Sequence, residues 1–288
     1  MAPFNKKMAP HDSELIKRLS EIALIIRRHS LIMTTKSGSG HPGGSLSCAD
    51  ILSAIYFHQL RYDPQRPDWE ERDRFILSKG HAAPALYAAL AMAGFFPVEE
   101  LWKLRKIGSI LQGHPDMRKT PGVDASTGTL GQGLSIGIGM ALAFRLDKKS
   151  SRVFVLLGDG ELDEGQVWEA AMSASHYKID NLTAIVDYNR QQLSGCTERI
   201  MSLEPIAEKW VAFGWHVIKI NGHDIKQILD ALDEAELVRG KPPVVTPYTV
   251  QGKGVPMLEK SFLAGDCKYH GTPLSEAELT KALEELYV

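Results

Sequence analysis

The apolar residues of this chain follow two patterns that alternate along its length. Leu15, Leu19, Ile22 and Ile26 recur at helical spacing, as do Val167, Ala170, Ala171 and Ala174. Between such stretches stand short apolar runs: Phe75-Ile76-Leu77, Val153 to Leu157, Thr183 to Val186, His216 to Ile220 and Val244-Val245. A run without polar alternation belongs to a strand covered on both faces. The pattern therefore predicts helices from about Leu15, over Ala49 to Leu60, after His81, over Leu134 to Leu146, around Val167, and over Ile225 to Leu237. Helix and strand in alternation define an α/β fold, a doubly wound parallel sheet with helices on both faces. Residues 1–12 read as a flexible tail and 13–288 as a single domain. Three segments read as loops: Gly38 to Gly44, which no helix is expected to tolerate, 107–130 and 252–275.

Composition narrows the picture. Apolar residues make up 44% of 288, enough for a sizeable core. The formal net charge is −2, which gives no reason to expect a nucleic-acid or acidic-lipid partner. The apolar runs are too short to cross a bilayer, and charged residues interrupt the N-terminal ones, so no membrane span or secretory leader is expected. Three widely spaced cysteines, Cys48, Cys196 and Cys267, fit a reducing cytoplasm better than a disulfide framework.

Ligands of parallel sheets bind beyond the carboxyl ends of the strands. Gly158-Asp159-Gly160 and Asn189 fall at two successive ends, with Asp159 and Asn189 30 positions apart. One βαβ unit can set them side by side, and their hard oxygens suit Mg²⁺ or Ca²⁺. Gly160 lets the backbone approach a phosphate closely, and the helix start beyond it favours an anion. The competing reading is a tight turn plus a turn asparagine. His41, His81, His114 and His270 each stand beside Gly or Pro in loops, where imidazoles can donate, accept and shuttle protons. His29, His58 and His176 lie on predicted helices and read as structural. His223 reads as turn and cap chemistry, and Glu161 and Asp163 as complements to a helix dipole.

Gly158-Asp159-Gly160 with Asn189 resembles the fingerprint of thiamine-diphosphate enzymes. Four further segments are similar to transketolases in particular: Gly40-His41-Pro42-Gly43-Gly44, Ser78-Lys79-Gly80-His81, Gly113-His114-Pro115-Asp116, and Ser126 to Gly133. His270-Gly271-Thr272-Pro273-Leu274 is a fifth, and together they span about residues 15 to 275. The resemblance implies the thiamine-diphosphate-binding fold and a set of roles. Asp159, Asn189 and the carbonyl of Gln191 would hold Mg²⁺, with Ca²⁺ or Mn²⁺ as alternatives. His81, Gly160 and His270 would contact the diphosphate. Gly128, Thr129 and Leu130 would line the aminopyrimidine. Glu164 would lie at a subunit junction, and His41, His114 and His270 would face the sugar. Two positions depart from the full-length pattern: Gln191 stands where Ile is common, and Thr129 where Pro is.

Transketolases complete each site with a second, pyrimidine-binding domain, which supplies a glutamate. The chain closes after the first domain. The expectation is therefore the N-terminal subunit of a split transketolase, working with a C-terminal subunit in an α₂β₂ particle. It would transfer a two-carbon ketol unit between sugar phosphates, with sulfonated or branched sugars left open. A deoxyxylulose-phosphate synthase or 2-oxo-acid dehydrogenase fragment, or a non-catalytic partner-binding paralogue, are the alternatives.

Overall fold

The computed structural model describes residues 11–286, so most of the expected tail lies outside the described residues. Asp12 is already engaged: its carboxylate accepts a hydrogen bond from the Leu15 amide at 2.6 Å and caps α1, Ser13–Ser37. The left-handed Gly38 ends that helix, with φ +61°.

The Gly-rich segment that follows is a loop, as expected, only as far as His41. It then turns into α2, Pro42–Ser47, with Pro42 pre-setting the first helical residue. Gly43 is tolerated because nothing larger fits. A Cβ there would lie 2.8 Å from both the Gln251 Cγ and the Tyr269 carbonyl. The predicted Ala49 to Leu60 helix divides into α3, Ala49–Ala54, and a π-helical turn, Ile55–Gln59, in which Tyr56 packs edge-on against Phe75.

Strand β1, Arg74–Leu77, leads through a 3₁₀ turn at Gly80–Ala82 into α4, Ala83–Met92, and a second 3₁₀ turn covers Val98–Lys103. Helix α5 spans Gln132–Leu146, and β2 spans Val153–Gly158. A 3₁₀ turn at Gly160–Asp163 precedes α6, Gly165–His176, and β3 follows at Leu182–Asp187. A small hairpin of β4, Gln191–Gln192, and β5, Gly195–Cys196, is followed by α7, Thr197–Ile200, and α8, Ile206–Ala212. Then come β6, His216–Asn221, α9, Ile225–Leu237, and β7, Pro243–Tyr248. The 252–275 segment is not a bare loop either. It holds α10, Pro256–Leu263, and α11, Lys268–Gly271, before α12, Glu276–Glu285, which opens on a Ser275–Glu278 capping box.

The five long strands form one parallel sheet in the order β1-β2-β3-β7-β6. Every residue of β2 is buried, and its side chains alternate between two cores. Phe154 and Leu156 join the core that includes Leu19 of α1, Ile51 of α3 and Leu86 of α4. Val153, Val155 and Leu157 join the other, with Leu134 of α5 and Val167 of α6. Strands β2 and β3 are covered on both faces as read, whereas the edge strand β6 is not, exposing Lys219 and Asn221; the covered centre gives the doubly wound fold. A third cluster, in which Leu258, Leu274 and Leu279 meet Leu31 and Leu46, ties the C-terminal helices to α1 and α2. That cluster carries His270 back over the sheet ends.

Candidate active site

The register of β2 against β3 pairs Gly158 with Asp187, so both strands end at the same level. Asp159 and Asn189 leave those ends buried, at 1% and 4% exposure. The Asp159 carboxylate accepts from the Gly160 amide at 2.8 Å and from the Arg190 amide. Arg190 takes a left-handed φ of +61°, which turns its N–H toward that carboxylate. The Asn189 side-chain oxygen accepts from the Gln191 amide at 3.1 Å. Burial, and next the charge of Asp187, push the Asp159 pKa up to about 7. An oxygen ligand that costs this much to ionise without a counter-charge fits a cation beside it. Among the described residues no cluster of three or more His, Cys, Asp or Glu side chains could hold a metal alone. A site built on Asp159, Asn189 and a carbonyl instead leaves coordination positions for an anionic ligand.

Around these residues lies a cavity of about 380 Å³. Gly160 borders it, where a Cβ would come 2.9 Å from the Gln192 Cβ, so only a bare backbone fits. Gly128 and Leu130 line it, while Thr129 is exposed and does not. Glu164, exposed at the rim, packs against Gly131, where a Cβ would lie 2.8 Å from the Glu164 Cβ.

Three imidazoles roof the cavity. The ring centroids of His41, His81 and His270 are 5.2, 5.8 and 5.4 Å apart in the three pairings 41–81, 41–270 and 81–270. Burial, then the Arg105 charge, lowers the His41 pKa to about 4; burial and the neighbouring His41 and Lys79 do the same for His270. His81 is also held well below its ordinary value, mainly by burial. Neutral rings at neutral pH can donate or accept hydrogen bonds without carrying charge. His114 is exposed and sits outside the cavity lining, stacked over Gly128, whose Cβ would meet its ring at 3.2 Å.

Several residues that sequence reasoning passed over complete the site. Lys79 is 1% exposed, donating to the Asp187 carboxylate and to the Gly44 carbonyl at 2.8 Å. Burial opposes its charge, yet Asp187, Cys48 and Asp159 together outweigh this and raise its pKa. Asp187 also accepts from Ser47 at 2.6 Å and from the Asn189 amide group at 3.2 Å. A polar residue closing the apolar run of β3, level with Gly158, was the available signal.

Glu161 is not a helix-dipole residue. It is 2% exposed, accepting from the Ser78 hydroxyl, the Gly131 amide at 2.8 Å and the Gly158 amide at 3.0 Å. One carboxylate thus clamps three loops that border the cavity. Asp163, at the end of the 3₁₀ turn, is exposed at the cavity rim. His223 does not cap α9, which Asp224 does. Its Nδ1 faces Asp50 at 2.8 Å, and its Nε2 accepts from the Val250 amide at 2.8 Å.

A parallel α/β domain with Asp159, Asn189 and three imidazoles around one cavity at its strand ends defines a ligand-binding domain of the α/β class. The chain belongs to the transketolase family, matching its thiamine diphosphate binding domain over residues 19–287. It is 46% identical over 268 residues to the 6-deoxy-6-sulfo-D-fructose transketolase subunit of Clostridium sp. (strain MSTE9), covering 93% of this chain and 96% of that one. It is 42% identical over 267 residues to one of the apulose-4-phosphate transketolase subunits of Phocaeicola vulgatus, covering 90% and 93%. Against human transketolase the identity is 41% over 277 residues, covering 96% of this chain but 43% of that one. The crystal structure of Campylobacter jejuni transketolase superposes with a TM-score of 0.87 at 34% identity, covering 96% and 43%. The chain is therefore matched by subunits of its own length and by less than half of full-length transketolases.

Proposed function

We propose that this chain is the cofactor-holding subunit of a two-chain transketolase that moves a two-carbon ketol unit from a ketose to an aldose. The buried Asp159–Asn189 pair, set beneath three neutral imidazoles in one cavity, carries this reading. Asp159, Asn189 and the Gln191 carbonyl are the residues to hold Mg²⁺, or Ca²⁺ or Mn²⁺ in its place. His81, Gly160 and His270 face the diphosphate; Gly128 and Leu130, with the main chain at Thr129 between them, lie toward the aminopyrimidine; and Glu164 meets the partner. When bound, thiamine diphosphate supplies the carbon chemistry and the protein positions and polarises it. His41 and His114 orient sugar hydroxyls, and neutral His41 accepts a proton from one of them. Glu161 and Asp187 hold the loops that carry these groups.

The partner is a chain carrying the pyrimidine-binding domain, in an α₂β₂ assembly built on two-fold symmetry. Residues 13–288 act as one domain. Substrates are sugar phosphates, with sulfonated sugars also supported by the name of the Clostridium relative. Three free cysteines support a cytoplasmic location. No helix among the described residues is long and apolar enough to cross a membrane.

The test is ketol transfer with excess thiamine diphosphate and Mg²⁺, by this chain alone and mixed with a pyrimidine-domain subunit. Activity is expected only from the mixture. Robust turnover by the chain alone refutes the two-chain reading, while cofactor binding without turnover in any mixture favours a non-catalytic paralogue.

A further inference from the structure

The geometry points to Gln251 as a positioning residue that fixes the proton of His270 on Nε2, making that imidazole a hydrogen-bond donor into the cavity. Gln251 is 3% exposed, and its side-chain Nε2 lies 2.9 Å from the His270 Nδ1. An amide nitrogen only donates, so the imidazole nitrogen facing it must offer a lone pair. A neutral imidazole carries one N–H, which leaves it on Nε2. His270 stays neutral because burial and the nearby His41 and Lys79 disfavour a second proton.

The backbone on either side of Gln251 and the root of its side chain are held in place. The preceding residue, Val250, donates its N–H to the His223 Nε2 at 2.8 Å. His223 in turn is fixed through Asp50, which Arg27 grips with both terminal nitrogens. The following residue, Gly252, donates to the Gly43 carbonyl at 3.1 Å. Gly43 itself lies so close that a Cβ would stand 2.8 and 2.9 Å from the Gln251 Cγ and Cδ. A buried side chain braced in this way keeps its amide nitrogen within reach of the His270 Nδ1, and an outer partner of this kind selects the tautomer of the ring it touches.

The consequence bears on which ligand His270 can meet. An Nε2–H suits an anionic oxygen, such as a diphosphate or an alkoxide, and cannot take a proton from a neutral hydroxyl. This inference rests on the proposed cofactor site, which it deepens by giving His270 a fixed polarity.

The experiment is nitrogen NMR of the full chain labelled with ¹⁵N-histidine, with His270 assigned by its loss in His270→Asn. In the parent at neutral pH, Nε2 should carry the proton and Nδ1 the lone pair. Gln251→Glu replaces the donor with an acceptor and should move the proton to Nδ1. Gln251→Leu removes the partner without adding charge and should give a mixture of tautomers. It serves also if the carboxylate prevents folding. Calorimetry with Mg²⁺ and thiamine diphosphate should show affinity about tenfold weaker in the variants, the usual effect of losing an orienting outer partner. A parent His270 protonated on Nδ1, or a pattern that neither variant shifts, overturns the inference. A parent that shows the Nε2–H form yet gives no heat with the cofactor leaves the inference standing and overturns the cofactor site instead.

Discussion

The two walls of the cavity solve opposite electrostatic problems. The floor, at the ends of β2 and β3, keeps charge in the protein interior: Lys79 and Asp187 are both ionised and nearly inaccessible, each satisfied by the other and by Gly44, Ser47 and Asn189. The roof expels charge. His41, His81 and His270 crowd together, with ring-to-ring distances of 5.2 to 5.8 Å, and each is pressed toward its neutral form. A rigid charged floor suits gripping a metal, whereas a neutral roof suits hydrogen bonds to a diphosphate through His81 and His270 and proton exchange with a sugar at His41.

Floor and roof substitutions therefore fail in different ways. The largest effect is expected from Asp159→Ala. It removes an inner oxygen of the site, and thiamine diphosphate binding should weaken by more than about a hundredfold and lose its Mg²⁺ dependence. Titration calorimetry measures this directly; undiminished metal-dependent binding would sink the metal assignment. His41→Ala should leave that binding nearly intact while the turnover of the reconstituted enzyme drops by ~10²-fold, as for loss of a proton-transfer group. Turnover within a factor of two of the parent would remove His41 from the chemistry.

Glu161 tests whether the floor needs its clamp. Ser78, Gly131 and Gly158 each lose a partner in Glu161→Ala, and unmet buried donors cost ~1 kcal/mol or more apiece. A loss of ~3 kcal/mol in denaturant unfolding is expected. A change under ~0.5 kcal/mol would show that the loops hold without it.

The same contrast explains what the sequence disclosed. The floor was legible where strand grammar reached it. Val153 to Leu157 could only be a covered strand, and a covered strand ending in Gly-Asp-Gly delivers Asp159 to the ligand edge. Asn189 followed by the spacing of one βαβ unit. Glu161 was misread because its neighbours suit a helix start, while its three partners lie 3, 30 and 83 positions away. The roof was illegible from periodicity. His41, His81 and His270 come from the α2 cap, a 3₁₀ turn and α11, and only resemblance to a family joined them. The two glycines inside α2, Gly43 and Gly44, look helix-breaking in isolation. At Gly43, Gln251 and Tyr269 leave room for nothing larger.

The smallest expected effect is a pH dependence that belongs to the roof. His41 has its pKa lowered from 6.5 to about 4, so the unfolded chain takes up its proton at a higher pH than the folded one. Stability contributed by the neutral ring is present above pH 6.5 and is lost as the pH falls toward 4, because more protons are bound on unfolding. Asp159 works in the other direction. Its folded pKa of about 7 exceeds its ordinary 3.8, so acidification relieves a buried charge in the metal-free protein. The two partly cancel in a simple pH series, and the comparison must subtract one from the other. Urea unfolding of the parent and of His41→Asn at pH 7 and pH 5 does this, since Asp159 is common to both. The parent should lose about 1 kcal/mol more than the variant on acidification, a figure reduced from the full shift because the ring is partly exposed. An equal loss in both proteins would show that His41 is not held neutral by the fold, and the distinction between a charged floor and a neutral roof would then fail at its most exposed imidazole within the cavity.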